Sequence, residues 1–194
     1  MHKATAIGAA ALALLAIPAG AAAKPSDSDR SNAAKECRAE RGSTDATREA
    51  FKVKYGTNKT KSNAFGKCVS RRAVDEEQEA VTAHKNASKE CKAEAETLGD
   101  VAFAAKYGTG KKGRNAHGKC VSSKAKQHEA EADAEDQAQI VARKSAAKTC
   151  AEERDTLGDE AFDAKYGTNA SKSNAFGKCV SKQAKAEQDD EPQA

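Results

Sequence analysis

Large apolar residues are sparse in this chain after residue 23, and where they occur they fall into three matching clusters. Each cluster opens with Ala-x-Lys-x-Cys, at Cys37, Cys91 and Cys150, and continues to Ala-Phe-x-x-Lys-Tyr-Gly-Thr. That second motif supplies Phe51 and Tyr55, Phe103 and Tyr107, and Phe162 and Tyr166. Each cluster closes on Asn-Ala-Phe/His-Gly-Lys-Cys-Val-Ser around Cys68, Cys120 and Cys179. Three copies of one unit therefore organise the chain. They occupy residues 32–73, 86–125 and 145–185, with connecting stretches 74–85 and 126–144, a linker over 24–31 and an acidic tail over 186–194.

The polar and apolar spacing makes each unit a helical hairpin with a short helix at its tip. Ala, Lys and Glu dominate the first segment, and Asn86 and Ser145 are residue types that cap helices. Gly99 and Gly158 stop that segment, and Asp100 and Asp159 are placed to cap a short second helix. Phe and Tyr, four residues apart, share one face of that helix. Gly56, Gly108 and Gly167 end it, and after a polar loop Asn63, Asn115 or Asn174 is placed to cap the next helix. Neither Gly nor Pro occurs from Lys67 to Leu98 or from Lys119 to Leu157, so the last helix of one unit is predicted to run on as the first of the next. The fold class is all-α: three tandem disulfide-stapled αα-hairpins, each with a tip helix, joined by long exposed helices. Between Ser122 and Gln139 the chain has no large apolar residue and sets Glu129 against Asp133 and Glu131 against Glu135, so a hinge or frayed stretch is expected there.

Cysteine spacing fixes the pairing. On one continuous helix Cys68 and Cys91 stand about 35 Å apart, and Cys120 and Cys150 about 45 Å. A disulfide needs Cα atoms within about 7 Å. This leaves Cys37–Cys68, Cys91–Cys120 and Cys150–Cys179. Each bridge is worth roughly 3.5 kcal/mol in the chain-entropy model. The proposed core of Phe51, Tyr55, Phe65, Phe103, Tyr107, Phe162, Tyr166 and Phe176 is small, so the bridges are expected to decide folding.

Composition then narrows function. Leu, Ile, Val and Phe make up about one residue in ten beyond residue 23, against the roughly 20% that a packed globule needs. A large apolar pocket is therefore not expected. The chain begins with Met1, His2 and Lys3, an apolar run from Ala4 to Ile17, Pro18 and then small residues. This is the pattern of a secretory signal peptide over residues 1–23, cleaved after Ala21 or Ala23, and it agrees with paired cysteines. The run is too short to span a bilayer, so no transmembrane span is expected.

Catalytic and metal-binding constellations are not found. No Cys-x-x-Cys or His-x-x-x-His spacing occurs. His117 stands where the other units have Phe65 and Phe176, so it reads as a packing position. The stretch from Gly113 to Cys120 approaches a phosphate-binding loop, but no strand precedes it and the other units carry Lys61 and Lys172 in place of Gly113. No enzyme activity, cofactor, metal or nucleotide is implied.

Charge is the remaining signal. From Phe51 to Arg72, and again from Phe103 to Lys126, there are seven Lys and Arg and no acids. Acidic runs follow at Asp75–Glu79 and Glu129–Asp136. Basic loops leading into helix N-termini are suited to anions. The candidate anion-binding residues are Lys59, Lys61, Lys67, Lys111, Lys112, Arg114, Lys119, Lys172 and Lys178. The expected function is a secreted, non-enzymatic repeat protein whose basic tips bind an anionic cell-wall polymer or polysaccharide. The alternatives are a self-associating extracellular spacer and an inhibitor of a secreted hydrolase.

Overall fold

The computed structural model describes residues 24–109 and 113–189, and the expected signal peptide lies outside them. The described residues form seven helices. They are α1 (Asp27–Arg41), α2 (Asp45–Tyr55), α3 (Ala64–Leu98), α4 (Asp100–Tyr107), α5 (Ala116–Leu157), α6 (Asp159–Tyr166) and α7 (Ala175–Asp189). The uninterrupted stretches become the two long helices, α3 of 35 and α5 of 42 residues. Asn86 and Ser145 accordingly lie inside α3 and α5 and cap nothing. The like-charged stretch of α5 stays helical, because the segment from Ser122 to Gln139 lies in the middle of an unbroken helix whose neighbours support it.

Each unit is stapled across its own hairpin: Cys37–Cys68, Cys91–Cys120 and Cys150–Cys179, all with Cα atoms 6.0 Å apart. Phe and Tyr of each tip helix pack against one another at a tilt beside the bridge, at ring separations of 4.9, 5.1 and 5.0 Å. Phe65 and Tyr107 are half-buried; the other six aromatic rings are buried. His117 is exposed, so that position is not a packing site in the second unit: the shorter imidazole leaves a core of Cys91, Phe103, Ala116 and Cys120.

Local capping departs from expectation in three places. Residues 27–31 are not linker but the first turn of α1, because Ser26 and Asp29 form a reciprocal capping box. Gly99 and Gly158 themselves precede α4 and α6, with φ of 77°, so Asp100 and Asp159 are the first helical residues rather than the caps. Asn63 and Asn115 make no side-chain bond to the helices they precede. Their side chains reach backward, where Oδ1 accepts from Thr57 N–H or Thr109 N–H and Nδ2 donates to the same threonine hydroxyl. The loop is closed at the expense of the cap.

The connecting stretches lie against one another. α3 and α5 run antiparallel, in contact at Ala83, Ala87 and Ala125, and the Arg72–Asp136 ion pair of 2.6 Å ties them further along. Small alanines allow the close approach that a chain poor in large apolar residues needs. The antiparallel pairing folds the chain back, so the third unit returns to the first. Ala50 of α2 enters the core of the third unit with Phe162, Phe176 and Val180. Val53 faces Gly177 of α7 so closely that a Cβ on Gly177 would lie 2.5 Å from Val53 Cγ1. Arg154 of α5 donates to both oxygens of Glu49 at 2.9 and 3.1 Å. Units 1 and 3 thus share one end of the molecule, and unit 2 forms the other.

Candidate functional site

The tips are built on the same frame in every unit. Lys54, Lys106 and Lys165 precede the tip tyrosines, and each donates to a carboxylate on the hairpin's first strand of helix: Glu40, Glu94 and Glu153, at 2.7, 2.6 and 2.6 Å. The hydroxyls of Tyr55, Tyr107 and Tyr166 donate to the same three carboxylates. The hydrogen bond from Lys106 holds Glu94 down to about 2, and Lys165 likewise lowers Glu153. These glutamates stand three residues after the first cysteine of each unit, and that shared position was the only local sign of their role. They neutralise three lysines that otherwise count toward the basic tips.

The tip loops treat the candidate lysines differently. Lys61 and Lys172 adopt left-handed backbone, each with φ of 57°, and their Nζ atoms donate to the carbonyls of Gly56 and Gly167 at 2.9 Å. Those two glycines are required by close approach: a Cβ on Gly56 would come within 2.6 Å of Lys61 Cβ. In unit 2 Gly113 takes the left-handed position instead, with φ of 58°, which explains the glycine behind the near phosphate-loop match. Lys61 and Lys172 therefore brace the loop with their ammonium groups while keeping their charge, Lys61 half-buried and Lys172 exposed. Lys59, Lys67, Arg114, Lys119 and Lys178 are exposed, and Lys111 and Lys112 lie outside the described residues.

The helices that follow the tips begin unlike the others. α1, α2, α4 and α6 each open on acidic residues, whereas the first turns of α3, α5 and α7 contain none. Lys67, Lys119 and Lys178 sit in those acid-free starts. The positive end of each of these helix dipoles thus lies near an exposed lysine, with no carboxylate in the first turn to offset it. Lys59, Lys67 and Lys178 lie at the shared end of units 1 and 3; Arg114 and Lys119 lie at the other, beside Cys120 and its partner Cys91, so that Lys67 and Lys119 are separated by about 35 Å of α3 at 1.5 Å per residue.

Between the two ends the charge reverses. Arg72, buried among α1, α3 and α5, donates to Glu36 at 2.7 Å, Asp136 at 2.6 Å and Glu40 at 3.2 Å, while its Nε has no partner. Glu40 also takes Lys54 and Arg143, the latter at 3.1 Å. Burial pushes Glu40 up, but these partners more than reverse that and leave it below the usual carboxylate range. Beside this hub Glu36, Glu76 and Asp133 bring carboxylate oxygens within 4.8 Å of one another. Burial and the neighbouring charges of Glu36 and Asp133 raise Glu76 to about 7. An acidic cleft of about 250 Å³ opens next to it, lined by Asp29, Glu76, Glu79, Glu129 and Asp133. The sequence carried no sign of the hub, because its members are up to 103 residues apart.

Comparison with protein families, characterised proteins and solved structures finds no match to this chain. No helix among the described residues is long and apolar enough to cross a membrane.

Proposed function

We propose that this is a secreted, non-enzymatic protein that binds an anionic polymer of the cell envelope or extracellular space at several points. The observation that carries this reading is the contrast between helix starts: acidic at α1, α2, α4 and α6, acid-free and lysine-bearing at the three that follow the tips. The exposed lysines of two units at one end and one unit at the other give two contact regions. The acidic middle repels a polyanion, so contact is confined to the ends. Single weak contacts gain avidity when the polymer reaches both.

Co-sedimentation of the oxidised mature protein with purified cell-wall material across a salt series tests this. Binding that falls steeply as salt rises, and that weakens further in a Lys67→Glu, Lys119→Glu, Lys178→Glu variant, is expected from contacts dominated by charge. No binding at low salt contradicts it.

A further inference from the structure

The interface between units 1 and 3 has a second half-site that the described residues leave empty. In unit 3 the receiving face consists of Phe176, Gly177, Val180 and Arg154, with the Arg154 guanidinium 4.8 Å from the centre of the Phe176 ring. α2 covers it: Ala50 packs into the core, Val53 fills the notch over Gly177, and Glu49 takes both nitrogens of Arg154. Unit 1 repeats the receiving residues position for position as Phe65, Gly66, Val69 and Arg41. Arg41 lies 5.4 Å from the centre of the Phe65 ring, joined by Arg38 at 6.0 Å. Nothing lies within 4 Å of a Cβ placed on Gly66. Phe65 and Val69 remain half-buried, whereas Phe176 and Val180 are buried under α2.

The inserting face is duplicated as well. Glu49, Ala50 and Val53 of α2 correspond to Glu160, Ala161 and Ala164 of α6, at the same offsets from the tip phenylalanine, and all three are exposed. α6 is also the more acidic, with Asp159 and Asp163 flanking these positions, while the empty face has gained Arg38 where unit 3 has Ala151. The charges of the vacant pair are therefore better opposed than those of the occupied one. Unit 2 carries neither half: Ala95 replaces the arginine, His117 the phenylalanine, and Val101 the glutamate.

We infer that the unit 1 face of one molecule receives α6 of a second copy, with Glu160 on Arg41, so that the protein associates head to tail. The two surfaces differ, so the contact is heterologous, and each added molecule fills one vacant face and brings one new one. The inference does not depend on polymer binding, and no polymer is present in its test.

Sedimentation velocity of the oxidised full mature chain over a concentration series reads it directly. The expected result is a weight-average mass that keeps rising with concentration past the dimer and falls on adding salt. Arg41→Ala and Glu160→Ala are each expected to be monomeric, with unchanged helix content by circular dichroism. Mixing the two leaves one intact α6 face and one intact unit 1 face, so the mixture is expected to form a dimer and nothing larger. A wild-type chain that stays monomeric, a closed dimer, or a mixture that stays monomeric overturns the assignment.

Discussion

Units 1 and 3 and unit 2 are spelled almost identically but are held together differently. Unit 2 rests on its bridge, four buried core residues and a partly exposed ion-pair cluster in which Lys124 reaches Glu90 and Glu94, both at 3.3 Å. Unit 3 adds Ala50 of α2 and a buried Phe176 and Val180 to the same plan. Unit 1 adds Arg72, which occupies the position of Lys124 but is buried among three carboxylates. The repeated motif thus specifies a stapled hairpin, and the residues that differ between copies specify how hairpins meet.

Exchanging the equivalent cations sharpens that contrast most. Arg72→Ala leaves Glu36 buried without its cation, while Glu40 keeps Lys54 and Arg143, and is expected to cost about 3–5 kcal/mol. Lys124→Ala, at the same place in unit 2, is expected to cost less than about 1 kcal/mol, as exposed pairs do. Urea denaturation of the two variants measures the difference.

Removing bridges comes next. Replacing either cysteine pair by serines costs roughly 3.5 kcal/mol in the chain-entropy model. The consequence should differ by unit: hydrogen exchange is expected to show α4 opening alone without Cys91–Cys120, while α6 stays protected without Cys150–Cys179 because the third unit's core also receives Ala50 from α2. Equal opening of both tips would erase the distinction.

The glycines after the tips give a smaller effect with a change of sign. Gly177→Ala drives a methyl into Val53 and is expected to destabilise by about 1–3 kcal/mol. Gly66→Ala and Gly118→Ala meet open space within helices and are expected to stabilise by up to about 1 kcal/mol. Thermal melts of the three single variants decide it.

The smallest effect is on pH. With Glu76 raised to about 7 in the folded state, the native protein holds this proton more tightly than the unfolded chain does. Its stabilising contribution is full below the unfolded value and is lost as pH rises through about 7. Glu94, lowered to about 2, acts oppositely, and its contribution is lost only as pH falls toward that value. Glu76 is only half-buried, so solvent screening limits the effect, and Glu76→Gln is expected to stabilise at alkaline pH by on the order of 1 kcal/mol. It should leave stability at acidic pH little changed, which a pair of melts below and above neutrality reads out.

Helices, tips and bridges were legible because each has a local signature: a run without Gly or Pro, a Phe–Tyr spacing of four, cysteines whose alternatives lie tens of ångströms apart on one helix. The return of unit 3 to unit 1 was not. It depends on Val53 meeting Gly177 and Glu49 meeting Arg154, and a glycine that accepts a neighbour reads the same as Gly66 and Gly118, which accept none. Asn63 read as a helix cap because its residue type suits one, but Thr57 offers its side chain both a donor and an acceptor. Among the candidate lysines, a count of charges did not separate Lys61, tied to the Gly56 carbonyl, from the exposed Lys67 six residues on.

The chain folds back so that units 1 and 3 share an end, and the placement of every contact region depends on that return. Small-angle X-ray scattering of the oxidised mature protein, extrapolated to zero concentration, measures this as the largest intramolecular distance. The folded-back arrangement is governed by α5 and gives roughly 65–80 Å, whereas α3 and α5 splayed fully apart from the Cys91–Cys120 bridge span about 95 Å before the outer tips are counted. A value in the first range supports the shared end; one beyond about 95 Å contradicts it, because units 1 and 3 then stand apart.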